Sequence, residues 1–440
     1  MLLDEPPRRA ILRLAAPTTL VMLIAALSNV FATYYVSRLG ADAIAAMSLV
    51  LPIALLAATA MGGGLGAGAS SAVARALGAG DRTTAAHIAE HALVISIGCG
   101  LLFGIVVGGG APVIFSAMGG RDAVLAGAVG YARILFGGSV ITFVGGMFDS
   151  LLRGEGNVRV PAIWSTTSLA LQILVTPICM FTFGWGLSGA PLAILSCQLL
   201  SAIARARFVL GGQGVVQPRF WPRPMRLSAA AEVLRVGVPA SLSATVTYLG
   251  IMVLTAILAR FGTADLAAYG LGTRLDFILL SFVFGFGAAV LTLVGMATGA
   301  RRPEQVVTYI RQAAVIIVAM LLPPTLLLWW RPTLWLGLFT SDPDVLEVGS
   351  SYFRIVGPSY PFLGIAMVMS FAFQGLGRAS LPLAWMVIRV VAVVGGSVIG
   401  TRWFGWGPRG VFAAIAAGNA ASSVVMTALL ARTLTAPSAR

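Results

Sequence analysis

Three ionisable side chains lie deep inside long apolar runs: Asp276, Arg274 and Arg389. Such a group is costly in hydrocarbon, so by default it faces a cavity or a partner and marks an ion or substrate path. Asp276 is about ten residues into its run, roughly 15 Å along a helix. Arg389 is about eight residues into another, also near mid-depth. Arg274 stands two residues before Asp276 and leaves the helix on a different face. The chemistry open to such an acid is reversible uptake of a proton or cation, its affinity set by desolvation against a nearby arginine. The other reading is a fixed Asp276–Arg389 ion pair that locks two helices together. Asp149, one helical turn before Arg153, is expected to pair locally with it.

Two further motifs suggest chemistry and do not sustain it. "HIAEH" (87–91) matches the inverted zinc-peptidase pattern, with two histidines on one helix face. The chain has only 2 histidines, and a catalytic zinc site needs a third ligand. "MGGGLGAG" (61–68) looks like a phosphate loop, but it lies inside an apolar run and no Lys-Ser/Thr follows it. Close helix packing through small residues is the expected use. No serine, cysteine or histidine arrangement supplies a nucleophile with its base, so neither an enzyme, a metal site nor a cofactor is expected.

The elements that must position Asp276 are transmembrane helices. Of 440 residues, 58% are hydrophobic and 10% charged, and the mean hydropathy is +0.94. That charge cannot clothe a soluble surface. Cys99, Cys179 and Cys197 form no CxxC pair and are expected as buried thiols. The first apolar run is too long for a signal-peptide core and is expected to be retained. Runs able to cross a bilayer fall at 14–37, 43–72, 87–110, 124–151, 160–183 and 187–209, then at 234–259, 265–297, 306–330, 346–373, 381–403 and 410–431. The expected fold is an all-α membrane protein of twelve transmembrane helices. Its organisation is a six-helix lobe at 1–210, a linker rich in Pro, Gly and Arg at 211–233, and a second six-helix lobe at 234–440.

The two halves repeat each other. At a shift of 222 residues "LRLAAP" (12–17) is answered by "LRVGVP", and "SRLGADAIAAMSL" (37–49) by "ARFGTADLAAYGL". At 221, "RGEGNVRVP" (153–161) is answered by "QGLGRASLP", and "FGWG" (183–186) by "FGWG". Such a fixed shift signals internal duplication. An even number of spans per copy makes the repeats parallel, with a central cleft expected between them.

The charge supplies orientation. All 29 basic residues are arginine, and with the N-terminus inside, 19 of them fall on the cytoplasmic side against 8 on the other. The positive-inside rule then places both termini and the linker in the cytoplasm. The arginines are dispersed between apolar runs, so the sequence pI near 11 does not point to nucleic acid.

The motifs "RLGADAIAAMSL", "ARALGAGD" (74–81) with its echo "GMATGARR" (295–302), and the "LRGEGNVRVP" hairpin with its echo resemble the multidrug and toxic compound extrusion (MATE) family of secondary transporters. The likeness covers essentially the whole chain. It implies a monomer in the bacterial cytoplasmic membrane that exports organic, typically cationic and amphiphilic small molecules. The exchanged ion would be H+ or Na+, moving by alternating access.

The acids familiar in that family are missing. Its first-span aspartate, eight residues before the Gly of the "RLG" motif, corresponds to Ala32. "SATVTYLG" (243–250) has no seventh-span glutamate, and "YPFLGIAMVMSFAF" (360–373) has no tenth-span acid. Asp276 is left as the candidate for ion coupling, with Arg274 and Arg389 as its candidate partners. Asn29, Thr33, Tyr248 and Tyr269 are candidates to line the cleft and touch substrate.

An alternative within the same architecture is a flippase of lipid-linked oligosaccharides or another polar lipid. Two deep arginines would suit an anionic phosphate headgroup. A channel should show rings of polar residues along a pore, and none are visible.

Overall fold

A computed structural model describes residues 2–219 and 227–435. Among them eleven helices and one bent helix pair are long and apolar enough to cross a bilayer, which makes twelve spans. Spans one to six are Pro7–Ser37, Ala41–Gly78, Arg82–Gly109, the pair Asp122–Gly137 with Ser139–Gly154, Arg159–Thr182 and Gly186–Leu210. Spans seven to twelve are Leu227–Leu258, Thr263–Gly299, Pro303–Trp330, Pro343–Gly375, Ser380–Arg402 and Pro408–Thr435. The fourth is bent by 46° between its two helices.

Every span falls on an expected apolar run, and the departures are at the ends. Span one begins at Pro7 and span seven at Leu227, each ahead of its apolar run. Arg8 and Arg9, and the Glu232 and Arg235 within "LSAAAEVLR", interrupt an apolar run but are good helix formers. Helix propensity extends those spans beyond the hydrocarbon core. The end of the expected linker, from Leu227, is therefore helix, and residues 220–226 lie outside the described residues.

The chain divides into two compact units. One is Ala16–Ser241; the other is Leu242–Arg440 together with Met1–Ala15. The opening residues are tied to span nine: Arg302 Nη1 donates to Asp4 Oδ1 at 3.3 Å, Gln305 Nε2 to the Leu3 carbonyl at 3.2 Å, and Arg8 Nε to Gln312 Oε1 at 2.9 Å. In the first unit, Val36, Met61, Phe115, Phe136 and Met147 are among the side chains of a continuous apolar core. Gly64, Gly66 and Gly68 of "MGGGLGAG" sit at close helix approaches there: a Cβ on Gly68 would lie 2.7 Å from Gly237 N, and one on Gly66 3.2 Å from Ser150 Cβ. That motif is a packing device.

The duplication is visible in backbone geometry as well as in sequence. The hairpin after span four turns at Gly156 (φ 84°), and the hairpin after span ten turns at Gly377 (φ 76°). Both need a left-handed residue, which glycine adopts without steric cost. A Cβ on Gly154 would lie 2.8 Å from the Ser70 carbonyl, and one on Gly375 2.8 Å from the Leu291 carbonyl. Those partners are again 221 residues apart, so each unit packs its hairpin in the same way.

Candidate functional site

Asp276 lies thirteen residues after Thr263, the start of span eight, about 20 Å along the helix. Both carboxylate oxygens are engaged, and by span ten. Tyr360 Oη donates to Oδ1 at 2.6 Å, and Tyr352 Oη donates to Oδ2 at 2.6 Å. These lengths are those of charge-assisted O–H···O⁻ bonds. On an unbroken helix the two tyrosines would stand about 12 Å apart along the axis. The span is interrupted between them by a tight 3₁₀ turn, Gly357–Ser359, which contains Pro358. The hydroxyls converge on one carboxylate from positions on either side of that break.

The surroundings are apolar and close-fitting. A small cavity beside Asp276 and Tyr360 is walled by Leu279, Leu280, Val283 and Leu321, with room for about one water. The Tyr352 ring stands edge-on to Phe412 at 5.1 Å, to Phe353 at 5.4 Å and to Tyr269 at 6.1 Å. Gly272, one turn before Asp276, makes room for it: a Cβ there would lie 2.9 Å from Tyr352 Cζ. Packing thus holds the hydroxyl on the acid, with water largely excluded.

Neither arginine expected as a partner pairs with Asp276. Arg274 is exposed and stacks over the Phe339 ring at 5.9 Å, in the connection between spans nine and ten. Its neighbouring position on the helix turns it away from the acid. Arg389 donates through Nη2 to Asn419 Oδ1 at 2.6 Å, and Asn419 Nδ2 donates to Ser359 Oγ at 2.9 Å. The Asp276–Arg389 lock of the other reading is not formed: each charge has neutral polar partners instead. Both sets of partners meet at the break in span ten, where Ser359 and Tyr360 are adjacent.

The other candidates separate. Tyr269 is buried against Tyr352 and belongs to the aromatic packing around the acid. Tyr248 is half-buried. Asn29 and Thr33 are exposed and bond only along their own helix, to the carbonyls of Ala25 and Asn29. Asp149 pairs with Arg205 of span six and also interacts electrostatically with Arg153, which donates to Ser150 Oγ at 3.0 Å. In the histidine motif, His91 Nδ1 contacts the His87 carbonyl at 2.7 Å, and Glu90 Oε1 accepts the Arg219 backbone N–H at 3.0 Å.

The sequence reading missed Tyr352 and Tyr360. A signal was present: two of 8 tyrosines fall in one apolar span, and a buried tyrosine hydroxyl seeks an acceptor.

A twelve-span helical chain, duplicated, with a deep acid held inside one unit, has the architecture of a polytopic membrane transporter. The chain belongs to the MatE family, whose model matches residues 17–178 and 239–399. Those two matches are themselves offset by the shift of the internal repeat. Among curated relatives, it is 26% identical to a probable multidrug resistance protein NorM of Thermotoga maritima, over 74% of this chain and 70% of that one. It is 25% identical to an FAD transporter of Shewanella oneidensis, over 89% and 87%. Among solved structures it is similar to a MOP superfamily transporter from Pyrococcus furiosus, described as having a binding pocket of reverse polarity. There the TM-score is 0.92 at 26% identity, over 99% of this chain and 97% of that one.

Proposed function

We propose that the protein is a secondary efflux transporter of the cytoplasmic membrane. It exports organic amphiphilic compounds by alternating access, in exchange for an inward-moving ion that binds at Asp276. The single observation that carries the coupling assignment is the pair of 2.6 Å bonds from Tyr352 and Tyr360 to Asp276. They join span eight to both sides of the break in span ten, so protonation of the carboxylate weakens two interhelical bonds at once. Of the two coupling ions, H+ and Na+, the geometry favours the proton. A sodium ion would have to displace two hydroxyl donors from the oxygens, whereas a proton needs only one hydroxyl to turn. The multidrug reading is supported by the relative named for multidrug resistance. The placement of both termini in the cytoplasm is supported by the arginine asymmetry.

A second reading has its own observation. Among the described residues Arg389 has no acidic partner, which favours cargo carrying an anionic group, including a polar lipid. The relative named as an FAD transporter is in keeping with it. Transport in proteoliposomes under imposed proton or sodium gradients, with cationic dyes and labelled anionic lipids as cargo, separates the two. Dye movement coupled to the proton gradient supports efflux; lipid movement without dye movement overturns it.

A further inference from the structure

Arg389 lies nine residues after Ser380 in span eleven, about 14 Å along the helix. It shares a helix face with the buried Pro382, Val393 and Ser397, so its side chain is directed into the protein. A guanidinium carries five N–H donors. One meets Asn419 Oδ1 at 2.6 Å, and Nη1 faces the Met386 sulfur at 3.8 Å. The buried Nε has no hydrogen-bond partner. Among the described residues no carboxylate lies within ion-pair distance of Arg389. The deep acid of the same unit, Asp276, has both oxygens occupied by tyrosines. Asn419 is spent on Ser359, whose hydroxyl in turn donates to the Val356 carbonyl at 2.6 Å.

An uncompensated arginine at this depth is costly, and a neutral amide with a thioether offsets little of that cost. The fork of a guanidinium is matched by a planar or tetrahedral oxyanion, which supplies both charge and acceptors. Gly418 of the neighbouring helix borders the Nε edge: a Cβ added there would come into van der Waals contact with Nε at 3.7 Å and would clash with Val393, so the absence of a side chain at that position is what leaves the edge unobstructed. We infer that Arg389, oriented by Asn419, binds the oxyanion group, carboxylate or phosphate, of a transported compound or of a lipid headgroup. The site rests on the transporter reading but not on the role of Asp276.

The test uses the full-length protein in phosphatidylcholine nanodiscs, without any gradient. Thermal unfolding is followed as inorganic phosphate or acetate is titrated at fixed ionic strength. The wild type should show a saturable rise in Tm. Arg389→Gln should weaken the apparent affinity roughly tenfold or more, the scale of a lost charge-assisted bond, and Arg389→Lys should weaken it less. Asn419→Asp places a carboxylate against the guanidinium and should abolish the response while the protein stays folded, a result that stands even if Arg389→Gln does not fold. Exchanging part of the lipid for phosphatidylglycerol identifies the source. A raised starting Tm with a blunted phosphate response assigns a lipid headgroup, and an unchanged titration assigns a soluble oxyanion. No saturable rise in the wild type, or the same rise in both the Gln and Asp variants, overturns the proposal. Loss of proton coupling in an Asp276 variant would leave this titration unchanged, so the two readings fail separately.

Discussion

Tyr360 donates its hydroxyl to Asp276 Oδ1 at 2.6 Å, and the residue before it, Ser359, receives Asn419 and through it Arg389. At this point of span ten one partner of Asp276 stands next to the residue that anchors the partner of Arg389. Each charge is held by neutral groups, so each can change state without breaking an ion pair. A locked acid–arginine pair would resist any such change.

Removing one hydroxyl at a time should expose this arrangement. Tyr352→Phe and Tyr360→Phe keep the rings and their packing but each loses a charge-assisted bond, at a cost of about 1.5–3 kcal/mol. Transport should fall in both. In a double-mutant cycle with Asp276→Asn, the effect of either should shrink markedly, since the residues act through one network. Additive losses would separate the tyrosines from the acid.

Gly272→Ala tests the packing behind Tyr352. The new methyl would lie 2.9 Å from Tyr352 Cζ, so the ring must shift and its hydroxyl with it. Transport should fall by at least as much as in Tyr352→Phe, and overpacking should cost roughly 1–3 kcal/mol. Thermal unfolding and transport measured on the same preparation check both.

The paired hairpin contacts predict paired costs. Gly154→Ala and Gly375→Ala each press a methyl to 2.8 Å from a backbone carbonyl, and each should destabilise by roughly 1–3 kcal/mol. Gly395→Ala, where a Cβ meets nothing within 4 Å, should be neutral or slightly stabilising. Unfolding midpoints of the three variants decide it.

In the first unit, Arg205→Ala removes the ion-pair partner of the half-buried Asp149 and should destabilise by about 1–3 kcal/mol. Adding Asp149→Asn should recover much of the loss, because the uncompensated charge is then gone. An equal loss in the single and double variants would show that the side chains matter only as packing.

Glu155 carries a pH signature. Burial pushes its carboxyl above the usual carboxylate range, partly offset by the backbone N–H groups of Val216 and Val215. The folded state thus favours the protonated form. Its stabilising contribution is complete below the ordinary carboxylate pKa and fades as pH rises through the raised value. Glu155→Gln should flatten that part of the stability–pH curve, and unfolding midpoints from mildly acidic to neutral pH will read it.

Much of this was legible in the sequence, and the remainder follows a physical pattern. Apolar length alone places all twelve spans, because a bilayer imposes one length on them. It does not place the start of span one at Pro7, since helix continues through arginines that hydropathy counts as breaks. The deep position of Asp276 follows from counting along its run. Its partners do not, because pairing by opposite charge suggested Arg389, whereas the break at Pro358 brings two hydroxyls to the acid. That convergence is tertiary, and the sequence offers only two tyrosines in an apolar span as a hint of it.

The central claim is that Asp276 carries the coupling ion. The most direct measurement is proton movement accompanying dye efflux in proteoliposomes, for the wild type and for Asp276→Asn at equal protein content. The wild type should move protons against dye. Asp276→Asn should still let dye run down its own gradient, with no accompanying proton flux and no response to an imposed pH gradient. Proton flux per dye equal to the wild type in that variant would contradict the account.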